Sequence, residues 1–407
     1  MCVRRRWVAA VALTATTLAA TASAQTTAMT LAAALTRARE QAPEIVSAKL
    51  GIEEARARLA GSAVRFPQNP ELTAGVGNRN GSVGRSTDLE FGVSQLFEPS
   101  SRRLARQTGA EAAVAERTAA LDEVTRLVVA QTAAAFYRAL HERERIQMLT
   151  SAEQLAASIL EIADRRFRAG DIAVLDVNLS KGALARVRAQ REQARAAQLA
   201  AMGDLKALLG LEGDFVLEGS LGNPPPPQLD TLLTSANQRP ILRSLEAAAR
   251  EAEAEARLGK SFTRPEYGLG LRYGREEQAH IVFGEVTVSL PVFAKGQELF
   301  ASGTARERRL RAELESARTQ VRIEVTTSMA EYDRHREAVR WFETDALPGL
   351  DENETLATRS FEAGQLGLPE LLLIRREILD TRFDYLAALL EAALARVTLD
   401  ARASVLK

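Results

Sequence analysis

"RRFRAGDIAVLDV" at Arg165–Val177 returns as "RSFEAGQLGLPEL" at Arg359–Leu371. Two further pairs precede these: "RFPQNPELTAGVG" at Arg65–Gly77 with "SFTRPEYGLGLRYG" at Ser261–Gly274, and "VSQLF" at Val93–Phe97 with "VSLPVF" at Val288–Phe293. Aligned residues in the three pairs are offset by 194 to 196 positions. Such a constant offset indicates that one long unit is duplicated, and a duplicated unit determines how the rest of the chain is interpreted.

The N-terminal residues predict an export signal. A basic cluster at Arg4–Arg6 precedes an apolar stretch at Trp7–Ala20, and the small residues Ala22–Ala24 form a cleavage site. We therefore expect a signal peptide over residues 1–24 and a mature chain that begins at Gln25. The single cysteine, Cys2, would leave with this peptide, so the mature chain suits an oxidising compartment without disulfides.

The charge balance of the mature chain gives no support for nucleic-acid binding. The full sequence has 53 basic and 53 acidic residues. Removing the signal leaves 50 basic residues against 53 acidic ones, a formal charge of −3. Nucleic-acid binding needs a basic surface, which this balance does not provide.

Each copy is predicted to contain a helix, a strand pair, a very long helix, a turn and a second long helix. The first copy covers residues 25–220, with a hairpin at 72–97 and long helices within 100–209. A linker with four consecutive prolines follows at 221–230. The second copy covers residues 231–407, with a hairpin at 266–290 and long helices within 297–405. The prolines predict a stiff, extended spacer.

The two hairpins have the alternation of strands with one apolar face. In the second copy Tyr267, Leu269 and Leu271 alternate with glycines and Arg272. The predicted strands are Leu72–Arg79, Asp88–Phe97, Glu266–Gly274 and Ile281–Leu290, with turn residues in "NGSVGRST" between the first two. Their lengths suit tilted membrane-crossing strands, although soluble hairpins packed on a core would alternate in the same way. Four strands would leave exposed edges in lipid, so a membrane location requires an oligomer.

The segments between the strands are predicted to be helical. Thr30–Val64 has helical periodicity with a break or kink at Pro43, and Ser100–Phe167 has no proline. The second copy has a long helix over Gln297–Phe361 that includes Pro348. Returning helices are predicted over 171–209 and 366–405. Alanine-rich helices of this length indicate close antiparallel packing or coiled coil.

The order of these motifs resembles the TolC-like outer-membrane efflux proteins. The stretches "VSQLFEPSSRR" (Val93–Arg103) and "VSLPVFAKGQ" (Val288–Gln297) are most similar to the CzcC branch, which serves heavy-metal cation efflux. Members of that branch often have glycines where this chain has Pro99-Ser100-Ser101. The resemblance implies a mainly α fold with β: a long antiparallel α-helical barrel, and four strands per chain in a trimeric 12-stranded transmembrane β-barrel.

The resemblance also implies location and partners. The protein would be a homotrimer in the outer membrane of a Gram-negative bacterium and would extend into the periplasm. It would work with a periplasmic adaptor (membrane fusion) protein and an inner-membrane pump of the RND type. Its function would be a passive exit duct for heavy-metal cations. Two alternatives stay open: a multidrug or small-molecule duct of the same fold, and a soluble periplasmic coiled-coil scaffold.

No catalytic motif is present, so we predict no enzyme activity and no cofactor. His141 and His335 occupy equivalent repeat positions and could form a metal-binding ring, but an isolated pair is more often a surface feature, so no metal site is predicted.

The polar positions of interest are the helix-to-helix turns, where glycine allows a left-handed conformation. These tip turns are Ala169, Gly170 and Asp171 in the first copy and Ala363, Gly364 and Gln365 in the second. The resemblance implies that they lie at the periplasmic entrance and dock the adaptor.

An acid follows each turn glycine by six residues, namely Asp176 and Glu370. One interpretation is that each carboxylate complements the dipole of its returning helix. The other is that the acids face the lumen, where a threefold ring would attract cations. The resemblance implies a place at the constricted entrance for Glu370.

Overall fold

The structure is a computed structural model that describes residues 27–81, 84–276 and 279–406. The predicted signal peptide and its cleavage site lie outside these residues. The helices are α1 (Leu31–Gln41), α2 (Pro43–Ser62), α3 (Ser100–Ala169), α4 (Val174–Leu209), α5 (Leu229–Ala236), α6 (Pro240–Ser261), α7 (Gln297–Trp341), α8 (Leu350–Glu362) and α9 (Leu368–Arg402). The strands are β1 (Thr27–Thr30), β2 (Glu71–Gly81), β3 (Gly84–Phe97), β4 (Phe215–Glu218), β5 (Glu266–Glu276) and β6 (Ala279–Ser289).

The two hairpins form one antiparallel sheet in the order β2-β3-β5-β6. The register sets Val93 opposite both Leu72 and Leu271, so the hairpins pair through their inner strands. The β2–β3 strands extend further than predicted: Gly81 pairs with Gly84, and most of the predicted turn is strand. The ladder continues there because these polar residues still have backbone partners. With the long helices, this sheet confirms the predicted mainly α fold class with four strands per chain.

One face of this sheet is apolar and exposed to solvent in the single chain. Leu72 is 84% exposed, Val76 77%, Leu269 56% and Val286 68%. The opposite face carries glycines and charged residues. On it, Arg272 forms ion pairs with Glu90 at 3.2 Å and with Glu285 at 2.6 Å.

A second, two-stranded sheet was not predicted. β1 and β4 pair in parallel, with Thr27 opposite Phe215 and Thr30 opposite Glu218. Four-residue strands are too short to show alternation in the sequence.

The predicted extended linker follows β4 and crosses the second repeat. There Tyr332 donates a hydrogen bond to the Pro224 carbonyl, and Arg396 donates one to the Pro225 carbonyl.

The helices form a row of elongated antiparallel elements. α3 packs against α2 near the sheet and against α4 near the far end, and it also packs against α6 and α9. α7 packs against α6 and α9, and α8 packs against α9. Near the far end, one apolar cluster joins α3, α4, α8 and α9. Among the described helices, none contains an apolar stretch sufficient to cross a membrane.

The prediction of one long helix over Gln297–Phe361 is wrong. α7 ends at Trp341, a π-helical turn spans Phe342–Ala346, and α8 begins after Gly349, whose φ is +99°. Pro348 has no N–H to donate to the helix, which accounts for the interruption. The equivalent part of α3 continues without a break.

Close backbone contact fixes the start of α7 against α6. A Cβ atom on Gly303 would lie 2.6 Å from the Ala256 nitrogen, and one on Gly259 would lie 2.4 Å from the Phe300 nitrogen. Only glycine permits these approaches. Nearby, Arg102 forms an ion pair with Glu266 and its guanidinium lies 4.1 Å above the Phe262 ring. These contacts join the sheet to the helices.

Candidate functional site: the paired tip turns

Both tip turns reverse the chain through a left-handed glycine. Gly170 has φ +84° and Gly364 has φ +71°. Behind them, the Asp171 N–H donates to the Arg166 carbonyl at 2.9 Å, and the Gln365 N–H donates to the Ser360 carbonyl at 2.8 Å. These are the bonds that satisfy the last carbonyls of a helix. Both turns are exposed, so their backbone and side chains are available to a partner.

The two turns lie side by side at one end of the molecule. A cluster of apolar side chains from α3, α4, α8 and α9 packs between them: Ile159, Ala163, Val177, Ala357, Phe361, Leu368 and Leu371. The tip turns of the two repeats therefore lie at the same end of the molecule. This is the arrangement expected when the two repeats are oriented in the same direction.

Arg166 connects the two tips. Its Nη2 donates to the carbonyls of Phe361 and Glu362, each at 3.1 Å, and its guanidinium lies 4.6 Å from the centre of the Phe361 ring. The last carbonyls of α8 lack intrahelical donors, so a cation is favourable there. Arg166 was not among the predicted site residues. Its equivalent in the second copy is Ser360, and that substitution between aligned repeats is the signal that could have revealed it.

Glu370 lies in the first turn of α9 and is exposed. Its Oε2 accepts a hydrogen bond from the Gly367 N–H at 3.3 Å. This contact belongs to the helix terminus, in agreement with the simpler of the two interpretations. This hydrogen bond uses only one of the two carboxylate oxygens of Glu370. The predicted role of Glu370 in the lumen stays a prediction.

Asp176 occupies the first turn of α4 and is half-buried. The next residue, Val177, is buried in the apolar cluster between the tips. Asp176 and Glu370 therefore hold equivalent places at the starts of the two returning helices. Whether they face a lumen depends on neighbouring chains.

α8 is attached to α9 by two half-buried arginines. Arg375 donates to the Thr358 hydroxyl at 2.7 Å, and Arg382 contacts Asp351 at 2.6 Å and Glu354 at 2.9 Å. Burial lowers the pKa of Arg375, while the nearby Glu354 opposes that change. Because α8 is separated from α7 by the break, these pairs fix its position.

The histidines do not form a metal site within one chain. His141 is half-buried with Nδ1 3.0 Å from the Glu142 carboxylate, and His335 is half-buried on α7. Across residues 27–81, 84–276 and 279–406, no three His, Cys, Asp or Glu side chains are grouped to hold a metal ion. A ring built from several chains stays untested.

Comparison with known proteins confirms the predicted resemblance. The family model described as "Outer membrane efflux protein" matches residues 34–211, which lie in the first repeat. The cobalt-zinc-cadmium resistance protein CzcC of Cupriavidus metallidurans is 25% identical, over 83% of this chain and 81% of that protein. Protein CyaE of Bordetella pertussis is 26% identical, over 81% of this chain and 74% of its own length.

Solved structures match the fold along nearly the whole chain. A CusC structure has a TM-score of 0.78 at 17% identity and covers 92% of this chain and 91% of its own. The outer-membrane channel OprN has a TM-score of 0.75 at 16% identity, with coverage of 92% and 89%. The family match also agrees with the predicted outer-membrane location and with a channel rather than an enzyme.

Proposed function

We propose that three copies of this chain form the exit duct of a tripartite efflux system for heavy-metal cations. The match of its first repeat to the outer-membrane efflux family model and the likeness of its fold to the CusC structure support this proposal. The duct passively receives substrates from an inner-membrane pump and a periplasmic adaptor and releases them outside. The observation that carries this proposal is the four-stranded sheet with an exposed apolar face and two free edges.

The free edges favour ring closure between identical chains. Within the described residues, β2 and β6 each pair on one side alone. The sheet has an even number of strictly antiparallel strands, so its two edge strands run in opposite directions. β6 of one copy can therefore pair with β2 of the next in the same antiparallel pattern. Three copies would supply twelve strands and leave no edge unpaired.

The exposed face has the chemistry of a lipid contact. Most apolar side chains of the four strands point to one side, and the ion pairs and most glycines lie on the other, where β6 also places Ile281 and Phe283. That is the arrangement of a barrel with lipid outside and water inside. A soluble protein rarely leaves so large an apolar face uncovered, which argues against the alternative of a soluble scaffold.

The metal cargo rests on similarity and on charge. The relative CzcC is named for cobalt, zinc and cadmium resistance. Asp176 and Glu370 would add six carboxylates near the entrance of a trimer, which would attract divalent cations. The tip turns would dock the adaptor, and a pump of the RND type would supply the energy that the duct lacks.

Deleting the gene in its host and restoring it on a plasmid tests this function. We expect the deletion to lower resistance to cobalt, zinc or cadmium, and the plasmid to restore it. Purified protein should form detergent-solubilised trimers that conduct ions in planar bilayers. Unchanged metal resistance with increased sensitivity to dyes or antibiotics would refute the metal cargo and support the multidrug alternative. A monomer that stays dispersed in plain buffer would refute the duct itself.

A further inference from the structure

The two faces of the four-stranded sheet differ in charge. Residues that lie opposite each other in neighbouring strands share a face, and successive residues of one strand alternate between faces. The register therefore places every acid of the described strand residues, 71–81, 84–97, 266–276 and 279–289, on the face opposite to the apolar one. These acids are Glu71, Asp88, Glu90, Glu266, Glu276 and Glu285.

The apolar face carries cations at the end of the sheet that is remote from the helices. On β5 the alternate residues from Tyr267 to Tyr273 belong to this face and extend about 20 Å along the strand. Arg275 is the next residue on the same face, and its partner on β6 is His280. Arg85 also lies on this face, close to the turn between β2 and β3. The apolar band therefore ends in a basic border.

The arginine on the opposite face at this height is already paired with acids. Arg79 forms ion pairs with Asp88 at 3.0 Å and with Glu276 at 2.7 Å. Arg85 instead donates from Nε to the amide oxygen of Asn80 at 3.0 Å. Among the described strand residues, the arginines of the apolar face thus share that face with no carboxylate.

A cation at the border of a lipid-facing surface lies at the depth of the lipid headgroups. Arg85 and Arg275 are both exposed there. A planar guanidinium binds two phosphate oxygens through parallel N–H···O bonds, and this pairing strengthens where the dielectric constant is below that of water. Anionic lipids with phosphate groups are the ligands that match such a border in charge and in position.

From this one-sided charge, we infer that Arg85 and Arg275 bind the phosphate groups of anionic lipids in the outer leaflet of the membrane. The inference rests on the proposed barrel, which places the apolar face against lipid and the strand turns at the outer surface. The site lies on the outer wall and binds lipid rather than cargo. Carboxylates then line the inside of the barrel, and unpaired guanidiniums anchor its outside.

Titration of purified, delipidated trimers with diphosphoryl lipid A tests the site, and native mass spectrometry counts the lipids that each trimer retains. We expect the wild type to retain lipid A in preference to phosphatidylcholine. Arg85→Gln/Arg275→Gln should lower the affinity on the order of tenfold or more, because charge-assisted hydrogen bonds are lost. The matched control is Arg79→Gln, which removes an arginine at the same height from the opposite face. It should bind lipid A as the wild type does.

The outcomes separate this inference from the proposed function. Equal affinity of the double variant and the wild type, or an equal loss in Arg79→Gln, would overturn the site. Full displacement of lipid A by equimolar inorganic phosphate would overturn the assignment to lipid. Intact trimers that retain no lipid A would refute this inference alone, whereas monomers before any lipid is added would refute the proposed function.

Wild-type trimers provide a measurement that does not depend on how the variants fold. The affinity for lipid A should fall as the sodium chloride concentration rises, because salt screens the attraction between guanidinium and phosphate. An affinity that is independent of salt would overturn the inference.

Discussion

Replacing both Gly170 and Gly364 by valine tests the tip turns as the adaptor-docking surface. A Cβ atom at either position would meet no atom within 4 Å, so the chain itself has room for the side chain. The cost is confined to the backbone, because both glycines have positive φ. A left-handed residue with a Cβ costs roughly 1–2 kcal/mol, so the double variant loses about 2–4 kcal/mol per chain.

That loss acts on two exposed turns, far from the sheet that would join the copies. We therefore expect the variant to form trimers in the outer membrane with a modestly lower melting temperature. The two valines also add bulk where the adaptor would touch. Adaptor binding to immobilised trimers, measured by biolayer interferometry, should be lost together with metal resistance.

Gly349→Val is the matched control for strain. Gly349 has φ +99° and would also meet nothing within 4 Å, but it begins α8 instead of lying in a tip turn. The control should lose similar stability and keep adaptor binding. Normal binding and export by the double tip variant, with trimers intact, would refute the docking role. Equal loss of binding in the control would show that strain alone explains the effect.

Three further changes test the entrance, the tip contact and the helix packing. Asp176→Asn with Glu370→Gln should reduce cation preference in planar bilayers, while helix stability falls by only about 0.3–1 kcal/mol per site; unchanged selectivity would limit both acids to a helix-terminus role. Arg166→Ala should speed hydrogen exchange in the α8–α9 turn, because two hydrogen bonds to carbonyls are lost. The control Arg165→Ala, which removes one exposed pair with Glu161, should not, and equal exchange in both would contradict the tip contact. Gly303→Val should lower the melting temperature by forcing α6 and α7 apart, at a cost of roughly 1–3 kcal/mol. Gly203→Val, on open helix surface, is its control, and equal melting temperatures would contradict the close packing.

The repeat made most of the architecture predictable. Strand alternation and turn glycines depend on local backbone chemistry, so β5 and the left-handed conformations of Gly170 and Gly364 follow from the residues themselves. α3 was also predictable, since it contains no proline and its termini are marked by Pro99 and Gly170.

Features set by tertiary contacts were not predictable in the same way. The sequence locates Pro348, yet whether a proline kinks or ends a helix depends on how the neighbouring helices support it. The β1–β4 pairing joins segments nearly two hundred residues apart through short strands without a pattern. Arg166 was not predicted, because an arginine in a last helical turn is common and its contact with Phe361 depends on how the two tips pack together.

Imaging the purified protein in lipid nanodiscs by electron cryomicroscopy tests the central proposal most directly. We predict threefold symmetry, with β6 of each copy paired antiparallel to β2 of the next and twelve strands closing one barrel. The apolar face that includes Leu72 and Val286 should contact lipid. A single chain whose β2 and β6 edges stay unpaired, or a sheet whose apolar face packs on protein, would contradict it.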